Sequence, residues 1–191
     1  MLSKLIITFA TLIVLAKCDM YLKLEMESFS NPHGIKHDFK PCFNLTSGDR
    51  VAKKCLTYFR FCLSTTTASS QECLSEFKTQ IIGENTINSD QFRLTTNSIV
   101  FPIVGGDVEH EKLNLFVEVY NQQQEEKEAS LISQWKLENL ILNGQLNEWS
   151  KFSQVNEALS QQMTFKYKLE CFSNFKGSFC QIRKLKCLFF L

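Results

Sequence analysis

The sequence predicts an antiparallel β-sandwich, stapled by disulfides, in a protein that enters the secretory pathway. Several short strand-like runs are separated by turns, without the regularly alternating helices that a parallel sheet needs. The chain contains 17 phenylalanines and 12% aromatic residues, which favour strands. Seven of its 8 cysteines follow a secretory start, and disulfides form in the oxidising compartment to which such a start leads.

Residues 1–18 have the plan of a signal peptide. Lys4 supplies the positive charge near the N-terminus, and an uncharged apolar run extends from Leu5 to Ala16, a small residue of the kind found at signal-peptide cleavage sites. This run is shorter than the about 20 residues that crossing a bilayer core requires. We therefore predict secretion, a mature chain that begins near Asp19, and no later transmembrane segment.

Hydrophobic alternation identifies the strands. Leu22, Leu24 and Met26 share one face while charged residues occupy the other, which indicates a half-buried strand. Residues 131–140 fit either a helix or a strand, and the charged run at 122–128 is expected to be a loop. In chain order, strands are predicted at residues 21–27, 56–63, 98–103, 113–120 and 163–171.

The predicted core follows from these strands. Successive residues of a strand point to opposite faces, so Tyr58, Phe59 and Phe61 cannot all point inward. Some of these three rings are expected in the core. The other expected core residues are Leu115, Val117 and Trp149.

Charge and motifs exclude several classes of function. Lys+Arg 21 against Asp+Glu 20 gives a net charge of +1, without the basic stripe that nucleic-acid binding requires. There is no Gly-x-Ser-x-Gly elbow and no phosphate-binding glycine loop, so we expect no enzyme, small-molecule substrate or cofactor. His33 and His37 are four apart, but Pro32 and Gly34 oppose a helix there, and two ligands do not complete a metal site.

A cysteine-bounded aromatic strand carries the first likeness to a known family. It runs from Cys55 to Leu63, Cys73 follows after a polar loop, and residues 81–86 read Ile-Ile-Gly-Glu-Asn-Thr. This arrangement resembles the amino-terminal domain of Delta/Serrate-type Notch ligands. The resemblance implies a C2-like β-sandwich over residues 19–167.

A second likeness lies between Tyr167 and Cys180, where a strand runs into a cysteine and is followed by asparagine, an aromatic residue, glycine and a second cysteine. This resembles the beginning of the Delta/Serrate module with which family members bind Notch. The resemblance implies that residues 168–191 form the start of such a module, which is truncated here. Phe175 would then be an aromatic anchor for a protein partner, or these residues would only shape a disulfide loop. The implied receptor-binding candidates are Asn174, Phe175, Gly177 and Phe179.

Covalent modifications are also expected. The cysteine spacings alone leave many pairings open. The resemblance implies the disulfides Cys42–Cys55, Cys62–Cys73 and Cys171–Cys180, and it leaves Cys187 as the odd cysteine. Asn44 begins the single Asn-x-Ser/Thr sequon, and we predict that it is glycosylated.

The functional expectation is a Notch ligand, or a fragment of one, that acts by extracellular protein–protein contact in developmental cell–cell communication. Its implied partner is a Notch-family receptor. Full-length relatives are single-pass plasma-membrane proteins, whereas this chain is expected to be secreted and, without an anchor, to bind the receptor without activating it. The alternative is a free-standing secreted C2-like module that binds a phospholipid surface or another extracellular partner.

Overall fold

Two antiparallel sheets pack face to face in the part of the chain that the structure describes. The computed structural model describes residues 18–42, 54–65, 72–95, 98–105, 113–122, 129–140, 146–171, 175–176, 180 and 182–183. The strands are β1 (Cys18–Ser30), β2 (Thr57–Thr65), β3 (Ser75–Lys78), β4 (Thr86–Asn88), β5 (Ile99–Gly105), β6 (Leu113–Asn121), β7 (Ser130–Leu137), β8 (Ser150–Asn156), β9 (Gln161–Cys171), β10 (Phe175–Lys176) and β11 (Ile182–Arg183). The helices are α1 (Ser89–Thr95) and a 3-10 turn over Glu157–Leu159. Neither of these two helices is long and apolar enough to cross a membrane.

Strand β1 organises the first sheet, whose order is β4-β1-β9-β8, with β5 also paired to β1. β1 pairs with β9 from Met20 opposite Cys171 to Ser30 opposite Gln162. The second sheet has the order β3-β2-β6-β7, and β10 pairs with β11 in a separate hairpin. The predicted antiparallel β-sandwich is confirmed.

The core lies between the two sheets and is built from alternate residues of the strands. Leu22, Leu24 and Met26 of β1 are buried, as their alternation predicts. Phe29 of β1 meets Phe59 of β2 edge to face, with ring centroids 5.6 Å apart, so the two sheets are joined by aromatic contact. The largest fully buried aromatic side chains are Phe29, Phe59, Phe61, Phe101 and Phe165.

The aromatic strand β2 confirms the alternation argument. Phe59 and Phe61 are buried, whereas Tyr58 lies on the outer face and stacks on Tyr120 with ring centroids 5.3 Å apart. Leu115 and Val117 of β6 are also buried, as expected. These residues therefore divide between the core and the outer face of the second sheet as a pleated strand requires.

The prediction that Trp149 belongs to the core is wrong. Its side chain is 41% exposed, and the ammonium group of Lys168 lies 5.0 Å from its ring centroid. Trp149 immediately precedes β8, and the inward position on that strand is filled by Phe152, which stacks on Phe165. The ring of Trp149 therefore remains on the surface.

The ambiguous segment 131–140 contains all but the first residue of strand β7, which pairs with β6. A bulge opposite Val119 and Tyr120 shifts the register, and both Ile132 and Ser133 are buried. A bulge interrupts the alternation by which a strand is recognised, so the pattern of this segment fitted a helix as well.

Three disulfides join the cysteines that the resemblance pairs. Cys42–Cys55 ties the loop after β1 to the segment before β2, and Cys62–Cys73 ties β2 to the segment before β3. Cys171–Cys180 closes the loop after β9. β9 itself continues to Cys171, so the last strand of the sandwich crosses the boundary predicted between residues 167 and 168.

Several predicted features lie outside the described residues. They are the signal peptide up to residue 17, the glycosylation site Asn44, all but the first residue of the loop at 122–128, the candidates Asn174, Gly177 and Phe179, and Cys187.

Candidate functional site

The candidate site is built at the end of β9, where the sandwich leads into the Cys171–Cys180 loop. Cys171 pairs with Met20 of β1 in the first sheet and forms the disulfide with Cys180, whose side chain is fully buried. Strand β10 lies inside the loop that this disulfide closes, and it pairs with β11, which comes after Cys180. In this short hairpin Phe175 is opposite Arg183. Of the four receptor-binding candidates, the structure therefore places the backbone of Phe175 on this hairpin.

The outer face of the first sheet next to this loop carries a compact group of charged and aromatic side chains. We call it the Trp149 face and define it by Tyr21, Lys23, Trp149, Lys168 and Glu170. Lys23 Nζ lies 2.9 Å from a carboxylate oxygen of Glu170, and Lys168 forms a second ion pair with the same carboxylate. Lys23 also lies over the Tyr21 ring and Lys168 over the Trp149 ring, at 5.1 and 5.0 Å from the centroids. The two lysines thus link the aromatic rings to a shared carboxylate.

Strand alternation places these side chains on the surface. Tyr21 and Lys23 alternate on β1 with the buried Leu22 and Leu24. Lys168 and Glu170 stand on either side of the buried Leu169 on β9, and Tyr21 is directly opposite Glu170 in the register. The same alternation that builds the core therefore builds the outer face.

The electrostatics of the Trp149 face keep its carboxylate ionised. Burial by itself would raise the pKa of Glu170, but hydrogen bonds from Lys168, Tyr21 and Lys23 outweigh it and lower the pKa to about 2. The hydrogen bond to Glu170 in turn raises the pKa of Tyr21 and that of Lys23. At physiological pH the group is therefore a fixed set of charges around two aromatic rings.

The outer face of the second sheet carries a polar network instead. Glu118 is 4% exposed, and its carboxylate accepts hydrogen bonds from Arg60, Tyr120 and Gln134 at 2.6, 3.0 and 2.9 Å. Arg60 also donates to Glu76 at 2.9 Å. Because its buried charge is fully hydrogen-bonded within the sheet, this network serves the stability of the fold.

The sequence interpretation missed most of the Trp149 face. The alternation of residues 21–27 did place Lys23 on the outer, charged face of its strand. Trp149 was assigned to the core, and the grouping of Lys168 and Glu170 around it depends on the pairing of β9 with β1. No three His, Cys, Asp or Glu side chains among the described residues are arranged to hold a metal ion.

Comparison with known proteins agrees with this architecture. A search of curated proteins gave no match. The structure of Drosophila C2-DSL-EGF1 superposes with a TM-score of 0.65 at 23% identity, over 84% of this chain and 71% of that chain. Human GIVD cytosolic phospholipase A2 superposes with a TM-score of 0.54 at 13% identity, over 83% of this chain but only 17% of that chain. At these identities the two likenesses show a shared C2-like fold.

The family assignment comes from the sequence of the sandwich itself. Residues 20–170 match the family described as the N-terminus of the Notch ligand C2-like domain. This match begins in β1, ends in β9 and covers well over half of the chain. The chain therefore belongs to the family of Notch ligand N-terminal C2-like domains.

Proposed function

We propose that this protein is a Notch ligand, or part of one, and that it binds a Notch-family receptor outside the cell. The family is one of receptor-binding proteins without enzymatic activity. The observation that carries the proposal is the path of β9, which takes the chain from the family-matched sandwich directly into the Cys171–Cys180 loop. The three disulfides suit an extracellular compartment, which favours secretion.

The contact surface in this proposal combines the Trp149 face with the loop that follows it. Binding energy at protein interfaces is concentrated in a few aromatic and arginine side chains, and tryptophan is prominent among them. Trp149 is a large exposed ring held in place by Lys168, so it needs little ordering on binding. Phe175 lies four residues beyond Cys171 and supplies a second aromatic anchor.

A binding measurement tests this function. We would immobilise the ectodomain of a Notch-family receptor and measure the affinity of the secreted protein by surface plasmon resonance. Trp149→Ala and Phe175→Ala should each weaken binding about tenfold or more, the loss typical of an interface hot spot. Val155→Ala is the matched control, because Val155 is 59% exposed on the same outer face near the far end of β8. Equal losses for Trp149→Ala and Val155→Ala would contradict the assigned surface, and no binding by the unaltered protein would contradict the function.

A phospholipid surface is the second candidate partner, and one hairpin favours it. Ile35 bridges to Pro41, and Lys36 N donates to Lys40 O at 2.8 Å, which closes a tight turn after β1. At its tip Phe39 is 67% exposed, and its neighbours Asp38 and Lys40 form an ion pair at 3.2 Å. Lys36 lies across the turn, so an exposed ring stands on a turn that also carries lysines, which suits an anionic membrane surface.

This hairpin and the Trp149 face lie at opposite ends of β1, a strand of 13 residues that spans about 40 Å. Membrane contact and receptor contact are therefore compatible. Co-sedimentation with phosphatidylserine vesicles separates them: Phe39→Ala should reduce vesicle binding and leave receptor binding intact. Leu74→Ala, at a 64% exposed residue in the second sheet's loop, is the control. Equal vesicle binding by Phe39→Ala and the unaltered protein would remove the membrane candidate.

A further inference from the structure

The outer face of the first sheet continues beyond the Trp149 face onto strand β5. In the pairing of β5 with β1, Val100 is directly opposite Lys23 and Pro102 is directly opposite Tyr21. Residues directly opposite each other in an antiparallel pair lie on the same face of the sheet. Val100 is 48% exposed and Pro102 is also exposed, whereas the residues beside them on β5 are buried. Two exposed apolar side chains of β5 therefore adjoin the Trp149 face.

The strand register arranges part of this surface as a row that crosses the sheet. Lys23 is opposite Lys168 on β9, and Lys168 lies over the ring of Trp149, just before β8. The order across the face is thus Val100, Lys23, Lys168 and Trp149. Neighbouring strands are about 4.8 Å apart, so three steps separate the two apolar ends of the row by about 14 Å. The two lysines therefore stand between an apolar group on β5 and an aromatic ring at β8.

The charge in the middle of the row is positive. Lys23 and Lys168 share one carboxylate, that of Glu170, so one positive charge is not balanced within this group. The side chain of Lys23 is 31% exposed and that of Lys168 is 18% exposed, which makes Lys23 the more accessible cation. Between its two apolar ends the row therefore presents an accessible ammonium group.

The charges farther along the strands of this face balance one another. Lys151 and Lys166 both pair with Glu27, at 2.9 and 2.8 Å. Glu25 is exposed on the same face of β1 and lies opposite Lys166 in the register. These two lysines and two glutamates cancel. Among the strand side chains that the structure describes on this face, the positive excess therefore lies between the two apolar ends of the row.

Pro102 limits the way in which a partner can approach this side of the sheet. Among the strands that the structure describes, β5 pairs only with β1. Proline has no backbone N–H, and on an edge strand it opposes the pairing of a further strand. A partner therefore fits across the outer face, over the side chains of the row, rather than along the edge of β5.

We infer, on the basis of the proposed receptor binding, that the binding surface extends onto β5 and that it recognises an acidic side chain of the receptor that has apolar neighbours. The carboxylate of the receptor pairs with Lys23. Its apolar neighbours contact Val100 and Pro102 on one side and Trp149 on the other. Complementary charge at an interface governs the choice of partner and the rate of association, while buried apolar anchors supply most of the affinity.

Two matched substitutions of Val100 test the sign of the receptor's charge. Val100→Lys adds a cation on an apolar stem, and Val100→Glu adds an anion of similar size. In surface plasmon resonance on an immobilised Notch-family receptor ectodomain, the Kd of Val100→Glu should be about tenfold higher than that of Val100→Lys, because a receptor carboxylate repels one added charge and attracts the other. The difference should shrink in about 1 M salt, where the Debye length is about 3 Å.

Lys23→Met gives a second measurement that does not depend on Val100. This substitution keeps an apolar stem and removes the charge. The Kd should rise about threefold, and binding should become less sensitive to salt than it is in the unaltered protein. Equal salt dependence of the two proteins would overturn the pairing of Lys23 with a receptor carboxylate.

Val155→Lys and Val155→Glu are the matched controls. Val155 is exposed on the same outer face but is opposite Gln162, about 20 Å along β9 from Lys168. This distance exceeds the Debye length of about 8 Å at physiological ionic strength, so the two control variants should differ less than about twofold in Kd. Equal Kd values for Val100→Lys and Val100→Glu, or tighter binding by Val100→Glu, would overturn the inference and leave the receptor-binding function in place. No binding by the unaltered protein would overturn both.

Discussion

Arg60 donates a 2.6 Å hydrogen bond from Nη1 to Oε2 of Glu118, which lies almost fully buried on the outer face of β6. Burying the charged carboxylate of Glu118 at this position would destabilise the fold if no cation lay beside it. Arg60→Met should therefore lower the free energy of unfolding by about 2 kcal/mol, less than a fully buried pair would lose, because Tyr120 and Gln134 still donate to the carboxylate. Chemical denaturation measures this change.

Lys78→Gln is the control for that substitution. Lys78 also pairs with Glu76, but its side chain is 57% exposed, so its loss should change the free energy of unfolding by less than about 0.5 kcal/mol. Equal stabilities of the Arg60→Met and Lys78→Gln variants would contradict a stabilising role for the Arg60–Glu118 pair.

The contact of Phe29 with both sheets gives the second prediction. Its ring meets Phe59 at 5.6 Å and Trp135 at 5.9 Å, so one side chain of β1 packs on two strands of the opposite sheet. Phe29→Ala should reduce the free energy of unfolding by about 3–5 kcal/mol through the cavity that it leaves. Val155→Ala on the surface should cost less than about 0.5 kcal/mol. A small effect of Phe29→Ala in urea denaturation would mean that the two sheets do not share this core.

The strands were predictable from the sequence where alternation is unbroken, as at Leu22, Leu24 and Met26, because a period of two is itself the signal of a half-buried strand. Helix α1 was not predicted, because its seven residues complete too few turns for a helical period to appear. Trp149 was wrongly assigned to the core because it lies just before β8. At such a position tertiary packing, rather than sequence alternation, decides whether a side chain points into the core or toward the surface.

The candidate site, like the fold, was predictable from the sequence only in part. Phe175 was singled out because the stretch from Tyr167 to Cys180 resembles the opening of the Delta/Serrate module, and such a likeness can be recognised within one stretch of sequence. The Trp149 face joins residues from β1, β9 and the segment before β8, and only the register of the sheet brings them together. Pairing between strands that are far apart in the sequence cannot be predicted from the pattern of any single stretch.

Glu170 gives the fold a predictable pH dependence. Its pKa is lowered from the usual 4.5 to about 2 by hydrogen bonds from Lys168, Tyr21 and Lys23, which outweigh the effect of burial. Stability that depends on the ionised carboxylate is therefore complete above about pH 4.5 and is lost as the pH falls toward about 2. Glu170→Gln should unfold more easily than the unaltered protein at pH 7, by about 1 kcal/mol, and the difference should vanish near pH 2.

Thermal unfolding across this pH range measures the dependence on Glu170. Glu138→Gln, at a side chain 62% exposed, is the control and should follow the unaltered protein at every pH. A stability difference for Glu170→Gln that stayed constant between pH 2 and pH 7 would show that the carboxylate is not held in this network.

The Cys171–Cys180 disulfide should protect the loop after β9 from proteolysis, although the sandwich should fold without it. Its cysteines are nine residues apart, so it constrains a short segment that follows the last sandwich strand. In the double variant Cys171→Ala/Cys180→Ala, trypsin should cleave after Lys176 faster than in the unaltered protein, while the β-type circular-dichroism spectrum remains. Unaltered cleavage kinetics would show that the disulfide does not order this loop.

Hydrogen–deuterium exchange with and without a Notch-family receptor ectodomain tests the central claim, that the end of the first sheet and the loop after it form the receptor-binding surface. Backbone amides at Tyr21–Lys23, Trp149 and Lys168–Lys176 should exchange more slowly in the complex, while those of β3 and β7 on the opposite sheet should exchange as in the free protein. Protection confined to the opposite sheet, or unchanged exchange throughout in the presence of excess receptor, would contradict it.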